Sequence, residues 1–248
     1  MFESVLVYFG LMLAGAGLLS VVRPLRFLGI ATRRQGAMVT ASGVVLMIIG
    51  LVWPVTVKRT STHSMKLDEW MPVWQFDERH TIHVDAAPER VFAAIHAVPA
   101  DEILLFRTLT AIRRFGRRGP EDILNAPEKQ PLLDVATRTT FIQLTDDAPR
   151  EVVVGTVVAA PRSVRRSGRL TPDVFRKTLP SGVALATMNF LVTASAGGGS
   201  DVSTETRVYA NSPSVRRQFA VYWRLIHPGS DIIRRMWLRA IKRRSERN

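Results

Sequence analysis

Two long stretches without a single charge constrain this chain more than anything else in it. Val5 to Val22 reads VLVYFGLMLAGAGLLSVV, and Ala37 to Val57 is a second run of the same kind. At about 1.5 Å per helical residue they reach roughly 27 and 31 Å, the thickness of a bilayer's hydrocarbon core. A cleaved signal peptide would open on basic residues and carry a shorter apolar centre. Here Glu3 precedes the first run and no basic residue does. Two buried helices of a soluble core are the competing reading, and the lack of charge over both runs argues against it. Gly10, Ala14 and Gly17 in the first run, and Ala37, Ala41 and Gly43 in the second, are small residues at helix-packing spacing. An antiparallel transmembrane hairpin over residues 1–57 is therefore expected.

The turn between the runs carries Arg23, Arg26, Arg33 and Arg34, against Lys58, Arg59 and Lys66 after the second run. By the positive-inside rule the loop is cytoplasmic, which makes this a multi-pass cell-membrane protein with its large domain outside. The whole chain carries 34 Lys+Arg against 21 Asp+Glu, a formal charge of +13 that points to an anionic partner. Anionic lipid head groups are the simplest one, because the interleaved aromatic residues and motifs that nucleic acid demands are missing. The absence of cysteine removes disulfides, thiol catalysis and cysteine metal sites together.

Residues 58–74 read as a mixed, polar linker, and residues 75–248 as one domain. Gln75 to Val84 alternates, with Phe76, Glu78, His80, Ile82 and Val84 on one face of a strand. A helix follows with Pro88 in its first turn and Val91, Phe92 and Ile95 inward. Ala100 to Arg114 reads as a second helix, with Ile103, Leu104, Phe106, Leu109 and Ile112 apolar. Arg113 to Arg118 reads as a basic turn, and Leu124 to Ala136 as irregular with a short helix at Leu132-Leu133. From Thr137 the period becomes two, giving strands over Thr137–Leu144, Glu151–Val158, Gly182–Ala194 and Asp201–Tyr209. The chain closes on an amphipathic helix from Ser212-Pro213, broken or kinked at Pro228. Its stripe runs Val215, Phe219, Tyr222, Trp223 and Ile226, then Ile233, Met236, Trp237, Ala240 and Ile241.

That order, together with Val84-x-x-x-Pro88-x-x-Val91-Phe92-x-x-Ile95, resembles the START-like, or SRPBCC, superfamily in its polyketide cyclase/dehydrase type. Thr204 to Ala210, running through Ser214 to Trp223, is similar to an uncharacterised bacterial branch of that group. The resemblance covers about Gln75 to Arg244. It implies an α+β helix-grip fold, an antiparallel sheet wrapped around the long C-terminal helix with a hydrophobic cavity between them. It also implies a hydrophobic or amphipathic ligand such as a lipid. The alternatives are an enzyme of the cyclase/dehydrase kind acting on a hydrophobic substrate, and a membrane scaffold with a filled core. No known cyclase's catalytic set can be placed residue by residue, and Gly116 to Leu132 is longer than the family pattern.

Candidate site residues are few. Glu78 and His80 share a strand face and could form an acid/base pair. Asn189, Glu205, Arg207 and Tyr209 could orient or anchor a ligand's polar end, and Phe219, Tyr222, Trp223 and Ile226 are expected to wall the cavity. Met236 and Trp237, beyond Pro228, are expected to pack elsewhere. Arg234, Arg235, Arg239, Lys242 and Arg243 are expected at an anionic membrane surface, and Arg162 to Arg169 is a second basic cluster. His80 and His83 lie an odd number apart and face opposite ways, so no metal site is expected, and no cofactor.

Overall fold

The structure is a computed structural model that describes residues 2–117, 119–162 and 171–247. Of the basic stretch Arg162 to Arg169 only Arg162 lies among them, and Arg118 lies outside. The chain forms two compact units, Met1–Val55 with Arg217–Pro228, and Thr56–Arg216 with Gly229–Asn248.

The first unit is built on two apolar helices, α1 (Phe2–Val22) and α2 (Arg33–Val52). The turn into α2 is locked by a capping box: the Gln35 amide donates to Thr32 Oγ1 at 3.2 Å, and Gln35 Oε1 accepts from the Thr32 amide at 3.1 Å. Gly10 and Gly17 on α1, and Gly36, Gly43 and Gly50 on α2, recur every seven residues and form the contact seam. A Cβ at Gly43 would lie 2.4 Å from the Ala14 amide nitrogen, and one at Gly17 would lie 2.4 Å from the Thr40 nitrogen. Backbones this close need glycine, because nothing larger fits. Ala37 and Ala41, expected in the seam, are exposed instead; the seven-residue repeat through Gly43 puts Gly36 and Gly50 there in their place.

In the second unit, five strands pair antiparallel in the order β3-β7-β6-β5-β4. They are β3 (Phe76–Val84), β4 (Ile142–Asp147), β5 (Glu151–Ala159), β6 (Ala184–Ala194) and β7 (Ser200–Ala210). One sheet face is covered by α4 (Pro88–Ala97), α6 (Leu132–Thr139) and the C-terminal part of α7 (Pro213–Glu246). Ile95, Leu132, Phe190, Trp237 and Ile241 meet there in one core. This is the helix-grip arrangement, an α+β fold in which the long terminal helix closes an antiparallel sheet.

Several local expectations change. The helix α7 continues through Pro228; with one amide missing, the packing of the residues on either side outweighs the lost hydrogen bond. The strand expected from Thr137 begins at Ile142, because Leu132, Leu133, Val135 and Ala136 bury a helical face and carry α6 to Thr139. The second helix is short, α5 (Phe106–Arg113) after a turn at Leu105, and its Leu104 and Ile112 are exposed. The segment before β3 is folded rather than an open tether. β1 (Lys58–Arg59) pairs with β2 (Val73–Trp74), and α3 (Lys66–Trp70) lies between them in the chain.

Two outcomes test this architecture. Gly43→Leu should lower the melting midpoint of the detergent-solubilised protein, whereas Gly15→Leu, with open space around it, should leave it unchanged. Trp237, 1% exposed and edge-on to Phe190 at 4.9 Å, should cost about 3–5 kcal/mol when cut to alanine in a denaturant titration.

Candidate functional site

Strand pairing decides which polar side chains enter the grip. In the β3–β7 ladder Glu78 stands opposite Thr206, and His80 opposite Thr204. In the β6–β7 ladder Met188 stands opposite Thr206 and Phe190 opposite Thr204. Alternation therefore gathers Glu78, His80, Thr204, Thr206, Met188 and Phe190 on the face that α7 covers. From α7 come Asp231, Arg234, Trp237 and Ile241, spaced three and four apart on one helical face.

The polar groups of this interior meet closely. His80 Nε2 lies 2.8 Å from Glu78 Oε1 and 3.5 Å from Asp231 Oδ1, so both carboxylates approach one ring nitrogen. Arg235 clasps both Asp231 oxygens, at 2.8 and 3.2 Å. Arg234 turns inward, donating to the Met188 sulfur and lying 5.6 Å from the Trp237 ring centre. Burial pushes its guanidinium down to about 10, while the Glu78 carboxylate opposes the fall and the Arg113 charge adds to it. Of the atoms gathered here, Glu78 Oε2, Thr206 Oγ1 and Trp237 Nε1 are shut off from solvent and have no hydrogen-bond partner among the described residues. Leaving such an atom unmet costs about 1–3 kcal/mol, more for a charged group.

Glu78, His80 and Asp231 each offer a ligand atom, all within 4.8 Å of one another, a spacing a metal ion accepts. Charge argues otherwise. Arg234 beside Glu78 and Arg235 on Asp231 already balance the two carboxylates, so no excess negative charge remains for a dication. The arrangement suits proton transfer at His80 and Glu78, or recognition of a ligand's hydrogen-bonding groups.

The other candidates lie on the opposite sheet face. There Arg207 donates to Glu205 at 2.6 Å, to Asp68 at 2.9 Å and to the Met71 carbonyl at 3.1 Å. Its guanidinium also stacks 3.8 Å from the Trp74 ring centre. Asn189 donates to Glu151 at 2.7 Å and accepts from the Glu205 amide at 2.9 Å. Glu151 in turn accepts from the Lys66 and Leu67 amides at 2.6 and 3.1 Å. Tyr209 packs beside Met71 and Trp74. These polar groups are occupied by protein, and they fasten α3 to the sheet.

Phe219, Tyr222, Trp223 and Ile226 fall in the other unit, and Tyr222 is 40% exposed. The helical wall facing the sheet is Met236, Trp237, Ala240 and Ile241, reversing the expectation for the two halves of α7. The basic residues of that half are largely engaged within the domain. Lys242 reaches Glu246 at 2.9 Å and the His83 carbonyl at 2.8 Å, and Arg243 donates to the Glu102 carbonyl at 2.8 Å. Arg239 is exposed. Thr206 lies on the face that competed with Glu205 and Arg207 for the interior, whereas Asp231 and Arg234 were missed as interior groups. The signal for the last was present: Arg234 continues the line of Trp237 and Ile241 one turn back along the stripe.

No protein-family model matches the chain, and no curated protein matches it in sequence. Among solved structures it is similar to the di-domain ARO/CYC protein BexL from the BE-7585A biosynthetic pathway, at 13% identity and a TM-score of 0.37. That match covers 91% of this chain but 61% of BexL, so the chain spans about three fifths of its length. Protein CV1439 from Chromobacterium violaceum matches at 12% identity and a TM-score of 0.22, over 69% of this chain and 99% of that one. At such scores the fold assignment rests on the strand order and helix placement described above.

The outer-face network makes a pH prediction. Burial raises the Asp68 carboxyl, but hydrogen bonds from Thr60, Arg207 and the Ser64 and Met65 amides outweigh it and hold it below the ordinary carboxylate range. A depressed carboxylate stabilises the fold above its unfolded pKa, near 4, and loses that contribution as pH falls through its folded value. Asp68→Asn should flatten the acid limb of the stability curve. Asp68→Ala, which strands buried Arg207, should cost about 3–5 kcal/mol at pH 7 by chemical denaturation.

Proposed function

We propose that this chain is a membrane-anchored helix-grip domain that holds an amphipathic ligand, a lipid or similar molecule, between its sheet and the C-terminal part of α7. The anchor reading is supported by the hairpin. Only 22% and 17% of its two apolar windows are buried, whereas a core helix of a soluble protein is mostly covered. Leu11, Met12, Leu18, Val45 and Ile48 are exposed. The arginines of its turn favour an orientation with that turn in the cytoplasm and the domain outside.

The observation that carries the ligand reading is the pair of unmet atoms, Glu78 Oε2 and Thr206 Oγ1, on directly opposed residues of one ladder. A buried acceptor and a buried hydroxyl without partners among the described residues are suited to a ligand's polar end. Methylenes placed against Met188, Phe190 and Trp237 would contribute about 0.8 kcal/mol each. A second reading, an acid–base enzyme on a hydrophobic substrate, is favoured by His80 standing between two carboxylates. The two readings share the site and differ in whether anything turns over.

Native mass spectrometry of the full-length protein extracted in detergent tests the proposal. A bound mass is expected, with occupancy reduced about tenfold or more in Thr206→Val, which removes the hydroxyl and keeps the shape, and in Glu78→Gln. If the protein carries no adduct and both variants are simply more stable, the interior is a filled core and the ligand reading fails. Conversion of the bound molecule by wild type but not by His80→Ala would favour the enzyme.

A further inference from the structure

The half of α7 that belongs to the first unit is assigned no role by the ligand site, yet its surroundings are specific. Within the first unit, Arg224 is buried and donates to the carbonyls of Leu51 and Trp53, both at 2.5 Å. These carbonyls belong to the last turn of α2 and its C-cap, where a helix ends with acceptors that no intrahelical amide can reach. The Tyr8 hydroxyl, within the first two turns of α1, donates to the Leu225 carbonyl at 2.5 Å. Residues 217–228 are thus pinned to the end of the hairpin where α1 begins and α2 stops. With that edge held, the opposite edge shows Val221, Tyr222 and Leu225 to the outside, at 40%, 40% and 46% exposure. Arg217 and Gln218 are exposed one turn earlier on the same side. Trp53, 41% exposed and edge-on to Phe2 at 5.6 Å, stands at the same end of the hairpin.

We infer that residues 217–228 form a third membrane element, an interfacial helix lying in the head-group layer with Val221, Tyr222 and Leu225 toward the acyl chains. This rests on the hairpin being a membrane anchor. The occupant of the exposed apolar face is lipid, because Tyr8 and Arg224 hold this helix at the end of two spans whose own Val5, Phe9 and Val52 are exposed apolar residues. Tyrosine and tryptophan favour this depth, where one edge of the ring is apolar and the other reaches water. Arg224 suits it too: a guanidinium that meets the end of a span belongs where the hydrocarbon gives way to head groups. Arg217 and Gln218, one turn earlier on that face, then reach back from its N-terminal end to head groups and water.

The chain has no cysteine, so single cysteines carry a nitroxide label without background. The full-length protein, reconstituted in vesicles of phosphatidylcholine and phosphatidylglycerol, would be labelled at Gln218, Val221, Tyr222 or Leu225, with Leu11 and Val45 as hairpin controls. Labels at 221, 222 and 225 should be relaxed by oxygen in preference to a water-soluble nickel chelate, at a depth of about 5–10 Å below the head groups. The label at 218, at the polar N-terminal end of that face, should sit shallower, with a weaker preference for oxygen. Aqueous accessibility at 222 and 225 with lipid-exposed controls would overturn the interfacial helix and leave the anchor standing. Labels immobilised and shielded from both relaxants would overturn it as well, by showing a protein partner on that face. Aqueous accessibility at Leu11 and Val45 would overturn the anchor itself.

Discussion

One register decides what each face of this domain can do. Because β3 and β7 pair with Glu78 opposite Thr206, Asp77 falls opposite Arg207. The ladder sorts the polar groups of β7 onto two sides, Thr204 and Thr206 toward α7, Glu205 and Arg207 away from it. A slip of one residue would exchange the sets, placing a guanidinium against Trp237 and stranding Asp68 outside. The same pairing makes β7 central, with β3 on one side and β6 on the other, so both polar clusters inherit their positions from a strand held on two edges. Arg207 reaches Asp68 only because Asp68 is itself fixed by Thr60 and by the Ser64 and Met65 amides.

The two clusters obey different logic. On the outer face Asp68, Glu151, Asn189, Glu205 and Arg207 satisfy one another and the backbone, which is the condition under which a buried network rigidifies a fold. Inside the grip the charges balance but the hydrogen bonds do not. Arg234 and Arg235 offset Glu78 and Asp231, yet Glu78 Oε2 and Thr206 Oγ1 remain unmet. Balanced charge with unmet hydrogen bonds describes a site for neutral polar groups better than one for an ion, and it is the difference between the faces that points to the inner one as functional.

The sequence carried much of this fold where a period persisted. Alternation over Phe76, Glu78, His80, Ile82 and Val84 put Glu78 and His80 on one strand face, the one α7 covers, and Pro88 with Val91, Phe92 and Ile95 marked α4. It was silent where partners come from far along the chain. Asp231 joins His80 only through packing of α7, and Asp68 meets Arg207 from a stretch whose mixed composition reads as a tether. Local pattern also misled. The Thr137–Thr140 run has strand-like composition, but the buried Leu132, Leu133 and Val135 hold the first part of it in a helix. The two halves of α7 carry equally good apolar stripes, and no local feature says which one the sheet selects. Arg224, in the first half, reads locally as one of the charges outside the apolar stripe, and its meaning depends on carbonyls that α2 leaves open.

On the proposed membrane anchor, the hairpin follows the same physics with water removed. Between two spans in lipid there is no hydrophobic gain from contact, since acyl chains are as apolar as leucine; association depends on close packing and on polar groups finding partners. The seven-residue glycine repeat supplies the first, bringing the backbones near enough that Gly17 and Gly43 have no room for a Cβ. Arg224 and Tyr8 supply the second, meeting carbonyls of α2 and α7 that water would otherwise have to reach. A stripe that reads in sequence as the lining of a binding site is, by this accounting, committed before any ligand arrives. Its buried edge serves the ends of the spans, and its apolar outer edge is left for the solvent that surrounds them.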